Sequence, residues 1–335
     1  MKPTPLSAAT VAFALLGLAA PAQERPVLTV YAYDSFVSEY GPGPVIEARF
    51  EAQCGCDLNL VAAGDGAALL GRLRLEGERS PADVVLGLDL NLIAAAKDAG
   101  LTAPHGIDAP PLDLPVDWSD PHFLPFDWGW FAFVYDETRL TDAPDSFEAL
   151  IAAPEDVTIV IQDPRTSTPG LGLLLWIKET YGDRAPEIWE ALAPRIVTVT
   201  RGWWEAYSAF LDGEAMMALS YTSSPAYHAI AEDDPTKRAA LFSEGHPLQI
   251  EVAAALANAP QPELARDFLR FMLSPDFQSA IPTTNWMYPA RAEGAELPGA
   301  FAALPRPARS ILTDPEAATA LREEALAEWL DALSR

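Results

Sequence analysis

The run WGWFAFVY at residues 128–135 is the stretch that decides the organisation of this 335-residue chain. It carries no charge and is rich in aromatic side chains, so it predicts a buried strand. Residues 110–121 before it are rich in proline and aspartate and predict a loop. A loop that leads into a long buried strand is expected where a chain crosses between two lobes. Core positions are therefore predicted for Trp128, Trp130, Phe131 and Phe133.

Strand-like and helix-like segments alternate on both sides of this crossing. Two such series predict an α/β protein with two lobes, each a helix-covered sheet with mainly parallel strands. The segments before the crossing are residues 27–33, 45–53, 58–62, 67–76 and 82–88. The segments after it are residues 147–152, 157–162, 172–181, 186–192, 197–200, 204–211, 217–221 and 225–232.

The chain is expected to return through a second crossing strand at residues 248–256, followed by an amphipathic helix at 262–273. We predict a first lobe of residues 26–125 plus 250–335 and a second lobe of residues 126–249.

A last helix is predicted at residues 315–333, on the outside of the molecule. Thr313 is its expected N-cap. Its expected apolar stripe consists of Leu326, Trp329, Leu330 and Leu333.

The first residues predict export. Lys2 precedes an apolar run at residues 6–20, and Ala20-Pro21-Ala22 is a small-x-small cleavage site, as in a secretory signal peptide. An apolar run of about 15 residues is shorter than the roughly 20 that span a bilayer. No lipid-attachment pattern stands at the cleavage site. The sequence therefore predicts a free periplasmic protein with residues 1–22 removed.

The composition is strongly acidic, with 22 Lys plus Arg against 48 Asp plus Glu and a net charge of −26. Such a field repels nucleic acid and anionic membranes and attracts cations. Acidity is also common among exported and salt-adapted proteins, so charge alone does not select a ligand. We predict no nucleic-acid partner and, as the simplest form of a solute shuttle, a monomer.

The two cysteines, Cys54 and Cys56, favour a local disulfide in an oxidising compartment, and the sequence leaves their state open. The four histidines lie without metal-ligand spacing, so neither a metal nor a cofactor is predicted. No nucleophile elbow, phosphate-binding loop or dinucleotide fingerprint occurs in the right context. The sequence therefore predicts a binding protein and not an enzyme.

Ligands of open α/β sheets bind beyond the carboxyl ends of the strands. At one such end, Thr166, Ser167 and Thr168 open a predicted helix, where hydroxyl and free N–H groups suit a phosphate, with ordinary helix capping as the alternative. Asp65 is either an N-cap or a partner for a ligand cation. The predicted strand ends together comprise residues 31–36, 64–66, 87–89, 162–170, 201–203 and 220–224.

Four aromatic residues, Trp203, Tyr221, Tyr227 and Trp286, stand beside glycine, serine or proline at or beyond strand ends. We interpret them as pocket walls, with core packing as the alternative. Each ring facing a cationic heterocycle contributes about 0.5–2 kcal/mol. Nanomolar affinity needs about 12 kcal/mol, so hydrogen bonds and lobe closure must add to the stacking.

At these residues the sequence resembles the periplasmic thiamine-binding proteins of bacterial ABC importers, which belong to the two-lobed periplasmic binding protein superfamily. The resemblance extends from about residue 26 to the C-terminus. It is strongest at residues 30–36, 82–89, 162–175, 198–207, 219–228, 242–246 and 281–289.

The resemblance implies a type II-like fold that binds thiamine, its monophosphate or its diphosphate in the cleft and delivers it to an inner-membrane ABC permease. Aromatic rings would enclose the two heterocycles, Asp65 would meet the positive or amino-bearing part, and groups after Thr166 and Tyr221 would take the phosphates. The implied ligand-binding residues are Asp65, Gly66, Ser167, Thr168, Trp203, Tyr221, Thr222, Ser223, Ser224 and Trp286, with Tyr33 and Tyr227 as neighbours.

Two alternatives have the same fold. A thiaminase-like transferase needs a cysteine nucleophile, but Cys54 and Cys56 are far in sequence from the aromatic turns. Iron(III)-binding periplasmic proteins use adjacent tyrosines and often a histidine, whereas Tyr221 and Tyr227 are six residues apart with only His228 nearby.

Overall fold

The computed structural model describes residues 25–334, so the predicted signal peptide lies outside the described residues. The first part of the chain alternates strands and helices as expected. Its elements are β1 (Val27–Ala32), α1 (Asp34–Val37), α2 (Gly43–Cys54), β2 (Asp57–Ala62), α3 (Gly66–Glu76), β3 (Val84–Asp89), α4 (Leu90–Asp98) and the long β4 (Leu124–Asp136).

The middle of the chain forms a second alternating series that ends in another long strand. Its elements are α5 (Phe147–Ala152), β5 (Ile159–Gln162), α6 (Thr168–Tyr181), α7 (Ala185–Leu192), β6 (Ile196–Thr200), α8 (Trp203–Leu211), β7 (Met217–Tyr221), α9 (Pro225–Ala231), β8 (Lys237–Ala240) and β9 (His246–Ala255).

The last part is mostly helical. Its elements are α10 (Pro262–Met272), α11 (Pro275–Gln278), α12 (Ile281–Thr284), β10 (Tyr288–Pro289), α13 (Gly299–Ala302), β11 (Ser310–Ile311) and α14 (Pro315–Leu333). Three 3₁₀ turns complete the described elements, at Gly77–Arg79, Gly182–Arg184 and Ala193–Arg195.

The strands follow the hydrogen-bonded order β2-β1-β3-β9-β4-β7-β5-β6. β1 pairs in parallel with β2 and β3, and β5 pairs in parallel with β6 and β7, whereas β9 runs antiparallel to both β3 and β4. The result is a mixed sheet at each end of the molecule. The α/β fold class is therefore confirmed, while the exact lobe limits stay a prediction.

The two long strands connect the lobes. β4 pairs with β9 from Leu124 to Trp130 and with β7 from Phe131 to Tyr135, so its two halves belong to different lobes. The predicted core residues of this strand are at most 7% exposed. Burial of one large apolar side chain stabilises by about 1.5–3 kcal/mol, which fixes this strand firmly between the lobes.

The last helix differs in detail from the expectation. Asp314, and not Thr313, is its N-cap, because its carboxylate accepts hydrogen bonds from the N–H groups of Glu316 and Ala317. Pro315 explains the shift, since proline favours the first helical position and so places the cap immediately before it. The predicted stripe is partly wrong, since Trp329 is buried but Leu330 is 41% exposed.

This helix, α14, packs against α4 of the first lobe and against α6 and α7 of the second. Its buried side chains are Ala318, Ala325, Trp329 and Ala332. Lys178 of α6 forms salt bridges with Glu324 and Glu328 of α14, at 2.9 and 2.6 Å. The helix therefore lies across both lobes.

Cys54 and Cys56 form a disulfide in the turn between α2 and β2. Gly55 between them has a φ of +64°, a left-handed conformation that glycine adopts readily where a helix ends. This turn stands at the opposite end of β2 from Ala62. Among residues 25–334, no helix is both long and apolar enough to cross a membrane.

Candidate functional site

The N-termini of α3 and α6 face each other across the cleft. Ser167 Oγ of the second lobe donates a hydrogen bond to Asp65 Oδ2 of the first, at 2.7 Å. A Cβ atom added to Gly66 would lie 2.2 Å from Thr168 Oγ1, so only glycine fits this approach. The two lobes are thus in direct contact here, and the cleft is closed.

Asp65 takes the first of the two roles that the sequence left as alternatives, while contact with a ligand cation stays a prediction. It is the N-cap of α3 and accepts a hydrogen bond from the N–H of Gly66 at 3.1 Å. Burial raises the pKa of its carboxyl, although hydrogen bonds from Ser167 and from the N–H groups of Gly66, Thr168 and Trp203 oppose this shift. Three of those four donors belong to the second lobe, so closure brings them to one carboxylate.

Trp203 is held by two contacts at the start of α8. Its Nε1 donates a hydrogen bond to Ser220 Oγ at 2.8 Å, and its ring stacks on Tyr207 at 5.0 Å between centroids. Tyr207 in turn stacks on His228, and its hydroxyl is 2.9 Å from His228 Nε2. The stacked rings of Tyr207 and His228 fix the position of the outermost ring, Trp203.

Trp286 and Tyr227 meet edge to face, with centroids 5.2 Å apart. Trp286 lies in the turn after α12 of the first lobe, and Tyr227 lies in α9 of the second. The φ of Trp286 is +60°, a conformation that costs a bulky side chain about 1–3 kcal/mol. Such strain persists where the surroundings impose it, and here it places the ring against the opposite lobe.

The turn after β7 carries the four consecutive predicted site residues. The Tyr221 ring lies 5.3 Å from that of Phe131. Ser224 Oγ is 2.8 Å from Ser220 Oγ and accepts a hydrogen bond from the N–H of Tyr221 at 3.2 Å. Thr222 and Ser223 are fully buried, and Thr222 Oγ1 has no hydrogen-bond partner.

Tyr33 lies on the other wall, at the end of β1. Its hydroxyl donates a hydrogen bond to Glu251 Oε2 at 2.9 Å and accepts one from Asn285 Nδ2 at 2.8 Å. A Cβ atom at Gly87 would lie 2.1 Å from the Tyr33 ring, so that ring rests on bare backbone. The structure thus brings predicted site residues of the two lobes together at Asp65–Ser167, Gly66–Thr168 and Tyr227–Trp286, while ligand contact by each of the predicted residues stays a prediction.

Three further carboxyl groups line up beside Tyr33. Glu251 on β9 is the register partner of both Asp89 on β3 and Asp127 on β4. Register partners on antiparallel strands point to the same face of a sheet. We call Asp89, Glu251 and Asp127 the acidic row, and all three are at most 6% exposed.

Burial dominates the electrostatics of the acidic row. It raises the pKa of Asp89 and of Asp127 to about 7. It also raises the pKa of Glu251 well above its usual range, and the neighbouring charge of Asp127 adds to that shift. Asp127 and Glu251 face each other directly as register partners, so burial and the neighbouring charge favour a proton on this pair.

Sequence reasoning missed this row for a specific reason. Glu251 stands inside the predicted crossing strand at residues 248–256, where residues are assigned to the core, and Asp127 directly precedes the other predicted strand, at residues 128–135. Asp89 stands at a predicted strand end but was not selected. The available signal was the charge itself, because a carboxylate inside an apolar strand is rare unless it has a partner or a function.

Among residues 25–334, no group of three or more His, Cys, Asp or Glu side chains has the arrangement of a metal site.

The fold and the cleft define a two-lobed protein that encloses a small solute between aromatic rings and carboxyl groups. The chain belongs to the family of bacterial extracellular solute-binding proteins, which it matches over residues 37–279.

Relatives narrow this class further. Over 321 residues the chain is 52% identical to the thiamine-binding periplasmic protein of Escherichia coli (strain K12), covering 96% of this chain and 98% of that protein. It is 49% identical over 323 residues to the thiamine-binding periplasmic protein of Brucella abortus biovar 1 (strain 9-941), covering 96% and 97%. A solved periplasmic thiamin binding protein superposes with a TM-score of 0.90 at 53% identity, covering 93% of this chain and 97% of that one. The resemblance stated from the sequence is confirmed.

Proposed function

We propose that this protein is the substrate-binding component of an ABC importer, which captures thiamine and its phosphate esters in the periplasm and delivers them to an inner-membrane permease. The observation that carries the proposal is a closed cleft that combines aromatic rings with buried carboxyl groups. Thiamine matches it, because it has two flat heterocycles, one permanent positive charge and one amino group. The names of the relatives support the same ligand.

The charge balance of the cleft favours a cation. Across residues 25–334, no lysine, arginine or histidine forms a salt bridge with Asp65, Asp89, Asp127 or Glu251. Buried carboxylates without a basic partner are costly, and a bound cation offsets that cost. An anionic solute would not.

We assign the rings of Trp203, Tyr221 and Trp286 to the enclosure of the heterocycles, with Tyr33 and Tyr227 completing the walls. The phosphate esters would lie at the start of α6. There the N–H groups of the first helical turn and the hydroxyls of Ser167 and Thr168 favour negative charge. A phosphate at this position would take over donors that otherwise bond to the Asp65 carboxylate.

Transport follows from closure. A ligand that contacts both lobes stabilises the closed form relative to the open one by the difference in its contacts with the two. The permease would recognise the closed form, so that empty protein does not compete for it. A monomer serves this role, and no cofactor takes part.

A transferase that degrades thiamine is the less favoured alternative. Its chemistry needs a cysteine thiolate, and Cys54 and Cys56 are bonded to each other at the far end of β2. An iron(III) carrier is disfavoured because the Tyr227 ring packs on Trp286 and because Tyr221 and Tyr227 are not adjacent tyrosines.

Isothermal titration of the mature protein, unfolded and refolded to remove carried ligand, tests the proposal. We expect saturable one-to-one binding of thiamine, with quenched tryptophan fluorescence and no product on chromatography. Parallel titrations with the monophosphate and the diphosphate rank the three forms. Absence of binding to all three would reject the proposed function, and release of separate pyrimidine and thiazole products would favour the transferase.

A further inference from the structure

The acidic row lies outside the residues that the resemblance implies, although it occupies the floor of the same cleft. Its three members stand side by side on adjacent strands, β3, β9 and β4. Like charges at directly opposite positions destabilise a sheet. Such an arrangement persists where a proton or a bound cation separates the charges.

The central pair of the row lies on the two long strands that connect the lobes. Asp127 and Glu251 are register partners within the β4–β9 pairing, and Tyr33 and Asn285, which bond to them, belong to the first lobe. Gln249 of β9 donates from Nε2 to Glu251 Oε1 at 3.0 Å. The β4–β9 pairing therefore holds Asp127, Gln249 and Glu251 close together.

Several neighbouring elements carry charged or titratable groups close to Asp127 and Glu251. Tyr33 faces it from β1, Asp65 from the start of α3, Asp89 from β3 and Tyr221 from β7. The charge of Arg322 on α14 acts on Asp89 at the end of the row. All the named groups around Asp127 and Glu251 are thus acidic or neutral.

The polar atoms of this floor that lack partners are acceptors. Gln249 is fully buried, and its Oε1 atom has no hydrogen-bond donor. Asp89 Oδ1 and Asp127 Oδ1 also lack a hydrogen-bond donor. A buried acceptor without a donor is costly, so a ligand that fits here brings N–H donors.

We propose that Asp127 and Glu251, together with the amide oxygen of Gln249, form the subsite for the amino-heterocyclic part of the ligand, and that the N–H donors of the ligand displace a proton from this pair of carboxyl groups. This inference rests on the proposed function, that the ligand is thiamine. The balance is simple: one proton leaves the pair for the solvent, the amino N–H groups of the ligand donate to the freed carboxylate oxygens, and the positive charge of the adjoining heterocycle offsets the negative charge left on the pair. No covalent bond of the ligand changes.

The test is the number of protons released when thiamine binds to the wild-type protein. Titration calorimetry at about pH 6.5 in buffers of different ionisation enthalpy measures it directly. We expect release of a substantial fraction of one proton and an affinity that rises from about pH 5.5 to about pH 7.5, because protons compete with the ligand for the carboxyl groups.

Variants assign the effect to the pair. Glu251→Gln and Asp127→Asn keep the side-chain shape but remove one carboxyl group of the pair. We expect each to weaken thiamine binding at least about tenfold at pH 7.5 and to reduce the proton release. The matched control is Glu179→Gln on α6, a half-buried carboxyl with a raised pKa that hydrogen-bonds to Thr313, for which both readings should match the wild type.

The outcomes separate the two proposals. No thiamine binding by the wild type would overturn the proposed function and this subsite together. Binding by the wild type with an enthalpy that is independent of the buffer would overturn the subsite alone. So would a proton release that persists unchanged in folded Glu251→Gln and Asp127→Asn. The wild-type proton count needs no variant, so it decides the matter even where a variant does not fold.

Discussion

At the scale of single residues, the cleft depends on rings held in place by their neighbours. Trp203 is fixed through its ring nitrogen by Ser220 and through its ring face by Tyr207. Ser220 and Tyr207 each keep another hydrogen bond within the second lobe, to Ser224 and His228. Removal of the ring should therefore affect ligand binding more than folding.

We expect Trp203→Ala to weaken thiamine binding at least about tenfold, because a ring that faces a cation contributes up to about 2 kcal/mol. Calorimetric titration measures this. The control is Trp204→Ala, which removes the adjacent ring, 56% exposed, and should leave affinity within about twofold. Equal losses in both variants would contradict the assignment of Trp203 to the cleft wall.

The two roles of Asp65 can be separated. Asn is as good an N-cap as Asp, so Asp65→Asn should change the free energy of unfolding by less than about 0.5 kcal/mol. It should nevertheless weaken thiamine binding several-fold, because the negative charge is lost.

Asp65→Ala removes the cap as well and should cost about 0.5–2 kcal/mol of stability. Urea denaturation and titration of both variants provide the comparison. An Asp65→Asn protein with wild-type affinity would show that Asp65 acts only as a cap.

At the scale of secondary structure, the acidic row affects stability through its strand register. Its raised pKa values mean that the folded protein binds more protons than the unfolded chain between about pH 4 and pH 7. In that window the stability of the ligand-free protein should fall as the pH rises. Below about pH 4 both states are protonated, and the penalty disappears.

Asp127→Asn should therefore make the ligand-free protein more stable than the wild type at about pH 8, by at least about 1 kcal/mol, with a smaller difference at about pH 5. Urea denaturation at the two pH values measures the effect. Loss of stability at about pH 8 relative to the wild type would indicate that the charged form of Asp127 stabilises the fold.

The same register explains the limit of the sequence analysis. The crossing strand was predictable because an uncharged aromatic run reports burial directly. The bounds of α14 were predictable, but its N-cap was not, because Thr313 and Asp314 are both good caps and Pro315 decides between them. The acidic row was not predictable, because Asp89, Asp127 and Glu251 become neighbours only through strand pairing between distant parts of the chain.

At the scale of the whole molecule, closure depends on how closely the two lobes approach. Beside the Asp65–Ser167 bond, the N–H of Ala68 donates to the carbonyl of Thr166 at 3.0 Å. Gly66 lies under Thr168 at this contact. The site therefore leaves no room for an added methyl group.

Gly66→Ala should fold but close incompletely, since its Cβ would lie 2.2 Å from Thr168 Oγ1 and 3.1 Å from the Gly87 carbonyl oxygen. We expect thiamine affinity to fall at least about tenfold and the radius of gyration to shrink less on ligand addition. The matched control is Gly71→Ala in the same helix, where an added Cβ has no atom within 4 Å. Normal compaction of Gly66→Ala in small-angle scattering would contradict this view of closure.

The path of the last segment adds a constraint on the whole molecule. After β10 pairs with β4 in the first lobe, residues 290–309 lead to β11, which pairs with the second-lobe end of β9, and α14 then lies across both lobes. The lobes are therefore joined by three chain segments and not by two. Two adjacent connecting strands allow the lobes both to bend and to twist relative to each other. A third connection at a distance from those strands restricts the relative rotation of the lobes to a single axis. We expect the lobes to open and close by a hinge rotation about one axis, so that each capture of a solute follows the same path.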